Sequence, residues 1–291
     1  VYGDYDIDGI SGVVLFKSFL KKLGLDSVKC FQPDRFKDGY GVHKKCLESE
    51  LEVFKASLVI TVDTGITALE GAQFLREQGV DLIITDHHQE KETLPDCDWI
   101  VNPNRSADES GLGYLCGTGV AFYLLIALKM KLEEMDYFSN NKIAVPDLKS
   151  ELDLFALATL ADQVELKEDN RALVRVGVQV LKKTSRPGLR ELLWRCLNQL
   201  DTFSAKDLSF SVAPKINAAG RLGRVDVATE LLLCEDPARC AELVDQIMNF
   251  NSERVEIQNN VLTEAKAMAQ SQPSGDESPV TLVYGPWHEG V

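Results

Sequence analysis

Apolar and polar positions follow two rhythms along this chain. Within residues 1–105, short β-rich runs stand at 27–32 (SVKCFQ), 57–63 (SLVITVD), 81–86 (DLIITD) and 98–102 (DWIVN), and Val1–Gly3 reads as the end of one more strand. Amphipathic stretches such as TALEGAQFLREQG lie between them. Strands separated by helices predict right-handed βαβ crossovers and a parallel sheet. From Gly117 to Cys234 the rhythm turns helical, in GVAFYLLIALKMKLEE, LKSELDLFALATLA, RALVRVGVQVLKK and VATELLL. Pro237 to Gln270 predicts one long helix, with Pro in the first turn and Glu, Lys and Arg on its outer face. QSQPSGDESP then reads as a linker, and PVTLVYG as the start of a fresh strand. The fold class is α/β: a parallel sheet with flanking helices, then a helical subregion and a long connecting helix to a truncated second domain. The expected boundaries are 1–235 for the first domain (1–115 α/β, 116–235 mainly helical), 236–271 for the connecting helix and 272–291 for the incomplete second domain.

Composition narrows the class. The 291 residues are 45% hydrophobic, enough for a real core. No apolar run reaches the roughly 18 residues of a membrane span, and no signal peptide is visible. Seven scattered cysteines without a C-x-x-C argue against a zinc site or a disulfide framework and for a reducing, cytoplasmic location. The net charge of -14 speaks against a protein that simply coats nucleic acid. The charge is uneven, however: Asn170–Arg224 holds eleven Lys or Arg against three Asp or Glu. Such a segment is either a solvated helical face or a local seat for a polyanion.

Candidate chemistry concentrates at strand ends. VYGDYDIDGISG places Asp4, Asp6 and Asp8 at alternate positions before Gly9. A calcium loop of the EF-hand type needs a carboxylate at its twelfth position, and that position is Leu15. The aspartates instead line the turn after a strand, where open α/β sheets bind ligands. Asp63 ends LVITVD, Asp86-His87-His88 end DLIITDHH, and Asp162 ends FALATLAD. Any one such Asp is commonly a helix cap, but a parallel sheet gathers these termini on one edge. Hard carboxylates with one or two imidazoles suit Mn²⁺ or Mg²⁺. There are enough ligands for two ions with one bridging carboxylate, the arrangement used for in-line attack on phosphorus.

The ordered set DYDIDG, VDTGIT, TDHHQ and LATLADQVEL resembles the four motifs of the DHH phosphoesterase superfamily. PDRFKDGYGV, LCGTGVAFYLL and APKINAAGRLGRVDVATELLL are similar to stretches of its RecJ branch, and WHEGV resembles the opening of that branch's DHH-associated domain. The resemblance covers essentially the whole chain and makes 1–235 a DHH catalytic domain. It implies a 5′→3′ exonuclease on single-stranded DNA that releases 5′-mononucleotides in recombination and repair. The digestion polarity comes from the resemblance alone. Two divalent cations, Mn²⁺ or Mg²⁺, would be the cofactors. By the same resemblance Asp6 and Asp63 hold one ion; Asp8, Asp63, His87 and Asp162 hold the other, with Asp63 as the bridge. Asp4 orients ligands, and His88 contacts the scissile phosphate or protonates the leaving oxygen. Arg35 and Arg221 match positions that approach substrate phosphates, and Asn217, Gly220, Lys215 and Arg224 complete the expected substrate contacts. The helix after Gly9 and the Gly117-Thr118-Gly119 turn are expected to offer N–H groups to phosphate oxygens. Many members carry His at the position of Tyr2, so this chain departs from the pattern there. Single-stranded DNA is the expected partner, together with a helicase and a single-strand-binding protein, and no membrane. Two other readings stay open: a DHH phosphodiesterase acting on short oligoribonucleotides, cyclic dinucleotides or pyrophosphate, and a non-catalytic replication scaffold.

Overall fold

A computed structural model describes residues 1–197, 199–271 and 280–290. Four parallel strands, β1 (Tyr2–Gly3), β2 (Leu58–Val62), β3 (Asp81–Thr85) and β4 (Trp99–Val101), lie in the order β1-β2-β3-β4. The register sets Gly3 beside Val62, Val62 beside Thr85, and Thr85 beside Val101. All four strands therefore end on one edge.

Three of the four predicted runs are strands; SVKCFQ is not. It lies alongside β1, with Phe31 N–H donating to the Val1 carbonyl and Gly3 N–H to the Phe31 carbonyl, both at 2.9 Å. Only one bridge, Tyr2 to Phe31, forms there. A ladder needs consecutive partners, and β1 offers two residues before Asp4 turns away. Residues 280–285 likewise form no strand, with Val280, Leu282 and Tyr284 largely exposed. The linker expected at 270–279 lies mostly outside the described residues.

The helices are α1 (Ile7–Lys22), α2 (Lys44–Phe54), α3 (Leu69–Glu77), α4 (Gly117–Glu134), α5 (Tyr137–Asn141), α6 (Leu152–Ala161), α7 (Glu168–Leu181), α8 (Pro187–Leu197), α9 (Ala205–Asp207), α10 (Ala213–Arg221), α11 (Val225–Leu233) and α12 (Pro237–Ser271). A π-helical turn, Leu208–Val212, leads into α10. Pleating points successive strand residues to opposite faces. Ile60 and Val62 join a large core with α1, α4 and the helical subregion, whereas Tyr2, Val59, Leu82 and Ile84 join a smaller core with α2 and α3. Helices thus cover both faces, which is why β2 and β3 read as nearly continuous apolar runs. α1 is buried from Ile7 to Phe16 and lies between the sheet and α4, α6 and α11. Only Cys240, Leu243, Val244 and Ile247 of α12 are buried, so its second half is a solvated rod. No helix among the described residues is long and apolar enough to cross a membrane.

Candidate functional site

Asp4, Asp63 and Asp86 each follow the last residue of a strand, on neighbouring strands about 4.8 Å apart. Asp63 N–H still donates to the Thr85 carbonyl at 3.1 Å, and Asp86 N–H to the Val101 carbonyl at 3.1 Å. The sheet ladder itself therefore sets the spacing of these side chains. Asp63 adopts a left-handed backbone, φ 60°, a conformation Asp tolerates better than most side chains. α1 supplies Asp6 as its N-cap, whose Oδ1 accepts from Asp8 N–H at 2.9 Å and Gly9 N–H at 3.1 Å. Asp8 follows in its first turn. Asp162 closes α6, its N–H donating to the Ala158 carbonyl at 2.9 Å.

These elements gather three sets of donor atoms, each set lying within 4.8 Å: Asp4, Asp6 and Asp63; Asp8, His87 and Asp162; and Asp63, His87 and His88. His87 Nε2 lies 3.1 Å from Asp63 Oδ1, 3.8 Å from Asp162 Oδ2 and 3.9 Å from Asp8 Oδ2. Asp63 is the carboxylate common to two sets. Among the described residues no Lys or Arg forms an ion pair with Asp4, Asp6, Asp8, Asp63 or Asp162. Asp4 Oδ1, Asp63 Oδ1 and Asp162 Oδ2 are buried and accept no hydrogen bond. Burial first, then mutual repulsion, raises these carboxyls: Asp4 to about 8, Asp162 to about 6, and Asp6 and Asp63 upward as well. Buried carboxylates crowded together without cations are costly. A pair of hard divalent cations fits this donor set and relieves that cost.

Asp86 plays another part. It is fully buried, and it accepts from Ile66 N–H (2.8 Å), His87 N–H (2.7 Å), His88 N–H (3.1 Å) and His88 Nδ1 (2.7 Å). Burial would raise its pKa, but the bonds from His88 outweigh it and hold Asp86 below the usual range. The hydrogen bond to Asp86 in turn raises His88, against its own partial burial. A carboxylate only accepts, so His88 Nδ1 carries the proton. Tyr40 Oη sits 3.2 Å from the same nitrogen.

The helix N-termini do not serve phosphate. Gly117 N–H and Thr118 N–H donate to Asp8 Oδ2 and Oδ1 at 2.6 and 2.8 Å, and Gly119 N–H points to Cys116 Sγ. At the start of α1, Ile7 N–H donates to Asn217 Oδ1 at 2.8 Å. These donors are already engaged within the protein, because the buried carboxylates and loop need them. Gly117 must lack a side chain, since a Cβ there would stand 2.5 Å from Asp63 Cβ.

The expected substrate residues separate into two groups. Arg35 lies over the Tyr5 ring at 5.2 Å and donates to the Glu289 carbonyl at 3.4 Å, Arg221 donates to the Gly290 carbonyl at 2.8 Å, and neither has a carboxylate partner among the described residues. Burial, then the charges of Arg35 and Arg254, push Arg221 below the ordinary arginine value. Gly220 is buried where a Cβ would come within 2.1 Å of the Tyr5 carbonyl, so it lets α10 approach the aspartate loop. Asn217 holds that loop through Ile7. Lys215 Nζ donates to the Ser211 carbonyl at 2.5 Å, and Arg224 lies over Phe250 with Asp226 beside it, so both are engaged elsewhere. Tyr2 is buried in the smaller core, with its hydroxyl donating to the Gly41 carbonyl at 2.9 Å. Tyr2 therefore adds no donor to the acidic cluster. Sequence reasoning missed the grip of Gly117 and Thr118 on Asp8, the anchoring by Asp86, and Tyr40. The strand-end position of Asp86 and the Gly117-Thr118-Gly119 stretch, which reads as a seat for an anion, were the signals for the first two; Tyr40 was marked only by its place in PDRFKDGYGV.

A model of the DHH family, N-terminal domain, matches residues 1–159. The chain belongs to the DHH family. This DHH chain is 36% identical over 295 residues to the single-stranded-DNA-specific exonuclease RecJ of Escherichia coli strain K12, covering 100% of itself and 51% of that protein. It thus spans about half the length of the curated relatives it matches first. A crystal structure of exonuclease RecJ bound to manganese superimposes with a TM-score of 0.83 at 33% identity, covering 99% of the DHH chain and 69% of that one. RecJ of Thermus thermophilus in complex with Mg²⁺ gives a TM-score of 0.60 at 28% identity, covering 94% and 34%.

Proposed function

We propose that this chain is the catalytic part of a divalent-metal-dependent phosphodiesterase, an exonuclease that degrades single-stranded DNA from the 5′ end and releases 5′-mononucleotides. The observation that carries this reading is the unpaired, buried acidic cluster at the sheet edge with two arginines free of carboxylate partners, Arg35 and Arg221, on the neighbouring loop and helix. Related proteins named as RecJ exonucleases, with structures holding Mn²⁺ or Mg²⁺, support it.

In this reading Asp6 and Asp63 would hold one cation, with Asp4 close enough to join them rather than only orient them, and Asp8, His87, Asp162 and the shared Asp63 would hold the second. When bound, the two cations supply neutralisation of phosphoryl charge and a more acidic attacking water. The chain's own residues do the rest. Arg35 and Arg221 grip substrate phosphate through planar, two-pronged hydrogen bonding. His88, oriented and made more basic by Asp86, delivers a proton to the departing 3′-oxygen. Asn217 and Gly220 keep α10, and with it Arg221, against the aspartate loop. The presence of Asp6, Asp8, Asp63, His87 and Asp162 together disfavours a non-catalytic scaffold.

The same reading makes 1–235 the catalytic domain, 236–271 a connecting helix and 272–291 the start of a DHH-associated domain. It implies work in recombination and repair, a cytoplasmic location, and cooperation with a helicase and a single-strand-binding protein. The test is digestion of a 5′-labelled single-stranded oligonucleotide with Mn²⁺, set beside dinucleotides and duplex DNA. A labelled mononucleotide as first product is the expected result. Preferential cleavage of dinucleotides, or none of the single strand, overturns the proposal.

A further inference from the structure

The turn that follows β4 reaches back to the two histidines. Asn102 is buried, and its Nδ2 donates to the His88 carbonyl at 2.9 Å. Its Oδ1 accepts from Asn104 N–H at 2.8 Å, closing a tight turn around Pro103. Asn104 Nδ2 donates to the His87 carbonyl. Asp86 takes the N–H groups of the same two residues, His87 and His88. The backbone bearing both imidazoles is therefore gripped on its N–H side by a carboxylate and on its C=O side by two amides. The grip continues along the chain. A Cβ on Gly113 would meet Asn104 Oδ1 at 2.5 Å, so the loop after Asn104 folds back onto that amide. The loop then runs into Cys116, Gly117 and Thr118, the last two of which hold the Asp8 carboxylate.

We infer that Asn102 and Asn104 are positioning residues of the acidic centre: a clip that fixes the His87 and His88 imidazoles and couples them to the helix start holding Asp8. The inference rests on His87 being a metal ligand. Neither amide is aimed at substrate; both act through backbone they hold. Groups that orient ligands from behind commonly change metal affinity about 10–100-fold when removed.

The experiment compares the parent chain with Asn104→Ala, Asn104→Asp and a control in the same loop, Ser110→Ala, whose hydroxyl bonds only to its own turn. Asn104→Asp keeps the shape and removes the donor. Mn²⁺ binding is measured by titration without nucleic acid, and the histidine side-chain NMR signals are recorded in metal-free protein. The expected result is Mn²⁺ affinity about tenfold or more weaker in both Asn104 variants, unchanged affinity in Ser110→Ala, and shifted His87 and His88 signals while those of His43 and His288 stay put. Cleavage by the Asn104 variants should recover as Mn²⁺ is raised to saturation. Unchanged affinity with unchanged His87 and His88 signals overturns the clip. So does an affinity loss accompanied by displacement of all four histidine signals, the mark of general unfolding. A parent that binds Mn²⁺ but leaves single-stranded DNA intact would sink the nuclease reading while leaving the clip standing.

Discussion

Asp8 and Thr118, 110 residues apart, are joined twice: Thr118 N–H donates to Asp8 Oδ1 at 2.8 Å, and Thr118 Oγ1 donates to the Asp8 carbonyl at 2.7 Å. Both residues are buried. The pair locks the first turn of α1 to the first turn of α4 and sets the direction of a carboxylate in the acidic cluster. Replacing Thr118 by Val keeps the shape and leaves the buried Asp8 carbonyl without this donor, which costs about 1–3 kcal/mol. Urea unfolding of metal-free protein should show that loss, and Mn²⁺ titration should show weaker binding.

Asp63→Asn removes the charge shared by two donor sets. Metal-dependent hydrolysis should fall by at least about 10³-fold, roughly 4 kcal/mol of transition-state stabilisation, in a steady-state assay. The same change relieves repulsion from Asp8, Asp6 and Asp4. The metal-free variant should therefore melt higher than the parent. A variant that cleaves as fast as the parent refutes the shared role of Asp63.

Gly117→Ala places a methyl group 2.5 Å from Asp63 Cβ and 2.7 Å from its Cα. Neither atom belongs to a flexible chain end, so α4 must shift. A stability loss of about 1–3 kcal/mol and weaker Mn²⁺ binding are expected, read by thermal unfolding and titration.

The carboxyls raised by burial and crowding give the metal-free protein a pH signature. A folded pKa above the unfolded value near 4 means that the folded state holds its proton more tightly. Stability from Asp4, at about 8, and Asp162, at about 6, is therefore complete below pH 4 and lost as pH rises through 6 and 8. Metal-free protein should melt lower at pH 8 than at pH 6. Mn²⁺ at a hundredfold excess over its Kd should restore about 2.7 kcal/mol per site. Calorimetry across pH with a chelator, then with Mn²⁺, checks both signs.

Arg221→Lys keeps the charge and removes the planar fork. In the nuclease reading, KM for single-stranded DNA should rise about tenfold, some 1.4 kcal/mol, with a smaller change in kcat. Steady-state kinetics on one oligonucleotide measures the split.

Much of this site is legible in the chain itself, and particular residues show where legibility stops. DLIITDHH announces a buried strand and the acid that must follow it, because parallel strands covered on both faces are continuous apolar runs. SVKCFQ carries an equally good strand pattern yet gains one bridge, since pattern reports burial and cannot count the partners a neighbour offers. Gly117-Thr118-Gly119 looks like an open anion seat, and Asp8 fills it. Nothing near residue 117 encodes that a carboxylate from residue 8 will arrive there.

By itself the sequence determined the residue types, their order, and the strand ends at which Asp4, Asp63 and Asp86 stand, because hydrophobic period and chain punctuation are local properties. Tertiary structure alone decided which oxygens stay unpartnered, which N–H groups are already taken, and that Asn102 and Asn104 hold the two histidines. Those outcomes depend on hydrogen bonds and like-charge contacts between segments distant in sequence, and such contacts exist only once the sheet edge, α1 and α4 have closed around the same few ångströms.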